Sequence, residues 1–231
     1  MLTTTAVLAA VVAVAPVVAV LLARGGEEEA ASGAPVPATA TGAAGGYVLP
    51  GSPAEGEAPR LDVWLDYQCP VCKRFETSSG EALVELAGSG SARVVVHTLS
   101  FLDTGLGNDS SSRAAQGAAA AADQGRFAEY TRQVYARQPE QEGDGYTDDV
   151  LQEAAEAAGV GDVTRWREAL DAGTYAGFVE DVQEAMPDEV EGTPTVQLTA
   201  GGSTRALDTT TLLGSDGPAY LREQVDAASA S

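Results

Sequence analysis

The sequence predicts an α/β fold in two halves, a βαβ unit and a C-terminal ββα unit, separated by a long helical stretch. Three observations predict it. Two runs of strand character, RLDVWLDY at 60–67 and ARVVVHTLSFL at 92–102, flank a segment with helical spacing. Helical patterns then succeed one another down to residue 186. The pattern finally returns to strands in TPTVQLTA, a Gly201-Gly202 pair and STRAL, before PAYLREQVDAAS closes the chain's last helix.

The elements follow in order. Leu61, Val63, Leu65 and Tyr67 alternate, with Trp64 on the opposite side, as in a largely buried strand. The stretch DYQCPVCKRFE, 66–76, comes next and holds both cysteines of the chain, Cys69 and Cys72. Pro70 can open a helix, because its missing N–H is one of the unpaired groups of a first turn. From 70 to 87, Val71, Phe75, Leu83, Leu86 and Ala87 fall toward one side. Gly80 and the two serines before it bend that helix midway, and GSGS at 88–91 ends it. The second β-branched run, coming after a helix, runs parallel to the first. His97 lies inside it with no motif around it and reads as a packing or surface residue. Trp64, Phe75 and Trp166 read as core.

Five helical patterns make up the middle of the chain: SSSRAAQGAAAAADQ, RFAEYTRQVYARQ, TDDVLQEAAEAAG, DVTRWREALDAG and YAGFVEDVQEAM. Thr147 and Asp162 are capping candidates, and Gly159 and Gly173 are stops. Gly201-Gly202 then turns an antiparallel hairpin, and Pro218 starts the last helix.

The front of the chain differs. No charged side chain occurs from Met1 to Ala23, and about 20 apolar residues cross a bilayer, so residues 1–23 are expected to be a transmembrane anchor, with a cleaved signal segment as the alternative. Nothing before this run is basic and Arg24 follows it, so either a basic head precedes this start or the orientation is weakly specified. Residues 24–59, rich in Gly, Ala, Pro and Glu, read as a flexible tether, with the folded part starting near Arg60 and YVLP at 47–50 able to add an edge strand. A formal charge of −21 argues against nucleic acid or anionic headgroups as partners.

Two cysteines can be a staple, half a metal site or a redox centre. A C-x-x-C disulfide closes a very short loop and constrains the unfolded chain little. A structural zinc site needs four ligands, and the chain offers two Cys and one His. A redox role needs surroundings that favour a thiolate, and a helix N-terminus supplies them at Cys69. Asp66, three residues earlier, is expected to be solvated; if close to the thiols it would raise their pKa.

Three motifs in this order, DYQCPVCKRFE with its CPxC core, TLSFLD at 98–103 and GTPT at 192–195, resemble those of DsbA-like thiol-disulfide oxidoreductases of the thioredoxin superfamily. The anchor and tether are similar to those of actinobacterial membrane-tethered members. The resemblance implies a thioredoxin fold over 60–231 with a helical insertion at about 104–190. It implies that Cys69 is the nucleophile and Cys72 the resolving thiol, with the Cys69–Cys72 disulfide standing in place of any separate cofactor or metal. It implies a cis Thr193-Pro194 loop that binds extended substrate backbone, and a modulating role for Pro70 and Val71. Two positions depart from the family. Val71 stands where many such oxidases carry a thiolate-stabilising His, which argues against a strongly oxidising potential, and Val63 stands where a buried acid assists proton transfer.

The function so implied is disulfide formation in exported proteins, by a domain held outside the cytoplasm at the cell membrane or secreted after signal cleavage. Its partners would be exported proteins with thiols or disulfides and a membrane redox partner such as a quinone-linked oxidase, with the bilayer contacted through the N-terminal segment. A reductase or isomerase would use the same site. A membrane-tethered peptide-binding or chaperone module is the alternative of another class.

Overall fold

The structure, a computed structural model, describes residues 33–230. The apolar run of residues 1–23 and the first part of the tether lie outside the described residues. Among the described residues no helix is long and apolar enough to cross a membrane.

One sheet holds β1 (Tyr47–Val48), β2 (Arg60–Asp66), β3 (Arg93–Leu99), β4 (Thr195–Ala200) and β5 (Ser203–Ala206), in the order β1-β3-β2-β4-β5. β2 pairs parallel with β3 from Arg60↔Arg93 to Asp66↔Leu99, and antiparallel with β4. It is thus flanked on both edges, which fixes where its last residue, Asp66, delivers the chain. β4 and β5 form the expected hairpin, turned by Gly201 and Gly202 at φ +57° and +77°, a conformation glycine adopts without steric cost.

The sheet begins earlier than Arg60. β1 pairs antiparallel with β3 through Tyr47↔Val96, and Leu49 N donates to Val94 O at 3.0 Å. Tyr47 is fully buried and stacks on Phe127 with ring centroids 4.1 Å apart. Gly46 permits this approach, since a Cβ there would lie 2.7 Å from Val96 O. This is the edge strand that YVLP at 47–50 was able to add, within a stretch whose average composition reads as a tether. Its burial is concentrated in Tyr47 and Leu49, and burying one such side chain contributes about 1.5–3 kcal/mol.

From β2 the chain passes through Cys69 into α1 (Pro70–Phe75), a π-helical turn over Glu76–Gly80, and α2 (Glu81–Gly88). The turn is the bend expected at Ser78-Ser79-Gly80, and both serine hydroxyls donate to Leu212 O at 2.7 Å. Phe75, Leu83, Leu86 and Ala87 are buried on the sheet, while Val71, between the two cysteines, is half-buried.

Between β3 and β4 come α3 (Leu102–Leu106), α4 (Ser110–Ala122), α5 (Phe127–Ala136), α6 (Asp148–Ala157), α7 (Val163–Asp171) and α8 (Ala176–Glu184). Thr147 and Asp162 cap α6 and α7 by accepting from Val150 N and Arg165 N at 3.3 and 2.9 Å. The alanine-rich α4 is the buried axis of this insertion. Its small side chains let α5 and α7 come close, with Trp166 Nε1 donating to Gly117 O at 2.8 Å. α9 (Thr209–Leu212) and α10 (Gly217–Ser229) complete the C-terminal half. His97 has the packing role expected of it, stacked on Trp64 at 3.7 Å with Nε2 2.8 Å from Asp62 Oδ1.

Candidate active site

Cys69 is the N-cap of α1, extended at φ −72° and ψ 117°, and Pro70 occupies the first turn. Both thiols are free, and the two cysteines stand 3.5 Å apart. A cis peptide joins Thr193 to Pro194, and the Thr193 carbonyl accepts from Cys69 Sγ at 3.4 Å. The three sequence motifs therefore meet. The C-x-x-C lies at the end of β2, the proline loop just before β4, and TLSFLD supplies Leu102 and Asp103 to the same end of the sheet.

The sulfurs differ in exposure and in charge. Cys69 keeps 8% of its surface accessible and Cys72 none, so of the two residues only Cys69 reaches solvent. The Cys72 S–H lowers the Cys69 thiol to about 6 against the cost of burial, helped by the Thr193 side chain and by the N–H groups of Cys72 and Val71. Burial, with the Cys69 thiolate beside it, pushes Cys72 well above its ordinary value. The Thr193 hydroxyl has no hydrogen-bond partner in the reduced protein yet favours the charged form of either sulfur, so its O–H can turn toward whichever carries the charge. Thiolate stabilisation here comes first from the Cys72 S–H and then from Thr193 and backbone donors, and the Val71 side chain supplies none.

Asp66 overturns its expectation. It is fully buried, accepting from Ser111 Oγ at 2.5 Å, from Gln68 N at 2.9 Å and from Leu102 N at 3.3 Å. Desolvation raises its carboxyl to about 7 despite those donors. Gln68 extends the network, its Nε2 donating to Asp103 Oδ1 and Asn108 Oδ1, both at 2.8 Å. The strand that ends in Asp66 is buried and apolar at Val63, so no carboxyl enters from that position. A groove of about 600 Å³ lies at the other end of β2 between Glu57, Arg60, Ser91, Thr199 and Ala228. It belongs to the far edge of the sheet and holds none of these groups.

The sheet order, the thiol pair at the start of α1 and the Thr193-Pro194 loop define a thioredoxin-type fold with a dithiol at the end of its central strand β2. The thioredoxin family model matches residues 54–205, and the chain belongs to that family. Among solved structures it resembles MdbA, a thiol-disulfide oxidoreductase from Actinomyces oris, at 22% identity and a TM-score of 0.68, over 85% of this chain and 94% of that one. Oxidised DsbA of Mycobacterium tuberculosis matches at 21% identity and a TM-score of 0.63, over 80% of this chain and 92% of that one. Oxidised BdbD of Bacillus subtilis matches at 19% and 0.62, over 86% and 98%. At these identities the likeness is one of fold, the DsbA form with its helical insertion. No curated protein sequence matches.

Proposed function

We propose that this chain is a thiol-disulfide oxidoreductase that forms disulfides in exported proteins through Cys69 and Cys72. The observation that carries the proposal is the asymmetry of the pair, a Cys69 that reaches solvent and is held near pKa 6 against a buried Cys72 held well above the ordinary value.

Starting from the disulfide, a substrate thiolate attacks Cys69 Sγ. The Cys69–Cys72 bond breaks, and Cys72 leaves with the electron pair and takes up a proton. A second substrate thiolate then attacks the substrate sulfur of the mixed disulfide and expels Cys69 as a thiolate. The substrate loses two electrons and the pair gains them. Two features favour this direction. A low-pKa Cys69 is a good leaving group in the second step, and a protonated Cys72 is slow to attack the mixed disulfide backward. Thr193-Pro194, beside Cys69, is the segment on which an extended substrate backbone would lie, and Pro70 and Val71 flank the attacked sulfur.

A thiol near 6 is less acidic than the about 3.5 of DsbA and closer to the about 7 of thioredoxin. The potential is accordingly expected between about −270 and about −120 mV. Equilibration of the full-length protein with a graded series of reduced and oxidised glutathione measures it. A potential at or below thioredoxin's would replace disulfide formation by disulfide reduction as the function. Residues 1–23 would hold the domain at the membrane outside the cytoplasm, where a membrane oxidase would return the pair to the disulfide. In cells, loss of function in a Cys69→Ala, Cys72→Ala double variant supports redox chemistry, whereas retained function would point to a peptide-binding module.

A further inference from the structure

The turn that carries Cys69 is held by its carbonyl oxygens, and the side chains that hold them come from the helical insertion. Tyr135 Oη donates to Asp66 O at 3.1 Å, and Tyr146 Oη donates to Tyr67 O at 2.8 Å. Gln138 Nε2 bridges two carbonyls, Tyr67 O at 2.8 Å and Cys69 O at 3.1 Å. Lys73 Nζ donates in turn to Gln138 O at 3.2 Å, which ties a cation of α1 to the same loop. Tyr135, Gln138 and Tyr146 are all buried, so protein groups do what water would do at an open turn.

Each of these carbonyls is a dipole whose negative end would oppose a thiolate nearby. Donation to the oxygen offsets that end in a medium of low dielectric, where such bonds count for more than in water. It also fixes the peptide planes on either side of Cys69. The N–H groups of Val71 and Cys72 that favour the Cys69 thiolate are then aimed before the charge develops, without reorganisation. The insertion is therefore more than a cover on the site.

We propose that Gln138 and Tyr146, with Tyr135 behind them, are positioning residues through which the insertion sets the redox poise of the Cys69–Cys72 pair; this rests on that pair being the exchange centre. They act through the backbone of residues 66–69 and touch no reacting atom.

The test uses the full chain with Gln138→Leu and Tyr146→Phe, singly and together. The readouts are the pH profile of Cys69 alkylation by iodoacetamide, the glutathione equilibrium, and thermal unfolding of both redox forms. Each variant is expected to raise the alkylation midpoint by about half a unit, and to shift the glutathione equilibrium about threefold toward the disulfide. The double variant should shift both further. Tyr146→Phe keeps the ring in place and carries the test if Gln138→Leu does not fold. Lowered unfolding temperatures with unmoved alkylation and equilibrium would reduce these residues to a structural brace and overturn the proposal. A wild-type protein that never exchanges with glutathione would instead remove the exchange function, and the tuning role with it.

Discussion

The reduced protein should lose stability relative to the oxidised protein as the pH falls from about 8 to about 5, because only the reduced protein holds the Cys69 thiolate. Cys69 has its thiol pKa lowered from 9.0 to about 6, the Cys72 S–H being the largest cause. A depressed folded value stabilises the native state fully above the unfolded value, and that contribution vanishes as pH falls through the folded one. Over this window the two values correspond to about 2–3 kcal/mol, nearly all of it lost by about pH 5. Cys72 stays protonated throughout and adds almost nothing, because burial raises it. Asp66 and Glu76, both raised to about 7 by burial, titrate in either redox form and drop out of the difference. Guanidinium unfolding of both forms at a series of pH values, with a phosphine reductant for the dithiol, measures the gap. A gap that stays flat, or one that shifts in favour of the reduced form as the pH falls, would refute a stabilised thiolate at Cys69.

Three further outcomes can be checked. Asp66→Asn should remove about 3 kcal/mol of the stability lost between about pH 4 and about pH 7, since a carboxyl raised to about 7 favours the fold only while protonated, and should leave the share due to Glu76, which burial also raises to about 7; urea midpoints at the two ends of that window measure it, and a slope equal to wild type would count against the buried placement. Thr193→Val keeps the shape of the loop and removes the one hydroxyl that favours both thiolates, so the Cys69 alkylation midpoint should move up by about half a unit or more. Gly117→Ala should cost about 1–3 kcal/mol by chemical denaturation, because the added Cβ would lie 2.2 Å from Tyr130 Oη and 2.9 Å from Trp166 Cζ2 in a packed core; an unchanged midpoint would show that α4 has room to spare.

Much of this architecture was legible because its signals are local. Alternation in RLDVWLDY and the β-branched run around Val94–Val96 are carried by adjacent residues, and β2 and β3 form where they point. The setting of Cys69 was legible because Pro70 sets a helix start one residue later, and the structure places Cys69 at that N-cap. What stayed hidden is carried by distant partners. Asp66 looks like any acid at the end of a strand until Ser111 and Leu102, 45 and 36 residues away, enclose it. The hold on the Cys69 turn depends on Gln138 and Tyr146, 69 and 79 residues from the carbonyls they meet, and neither lies in a recognisable motif. β1 was legible as the edge strand that YVLP could add, although Tyr47 sits among glycines and alanines whose average describes a tether.

The decisive measurement is the capture of a mixed disulfide. Cys72→Ser, incubated with a reduced client peptide and a mild oxidant, should accumulate a covalent complex through Cys69, identified by mass spectrometry. Cys69→Ser should form none and should fail to oxidise the client when Cys72 is left intact. A complex formed through Cys72, or disulfide exchange that continues unaltered in Cys69→Ser, would contradict the assignment of Cys69 as the sulfur that meets substrate.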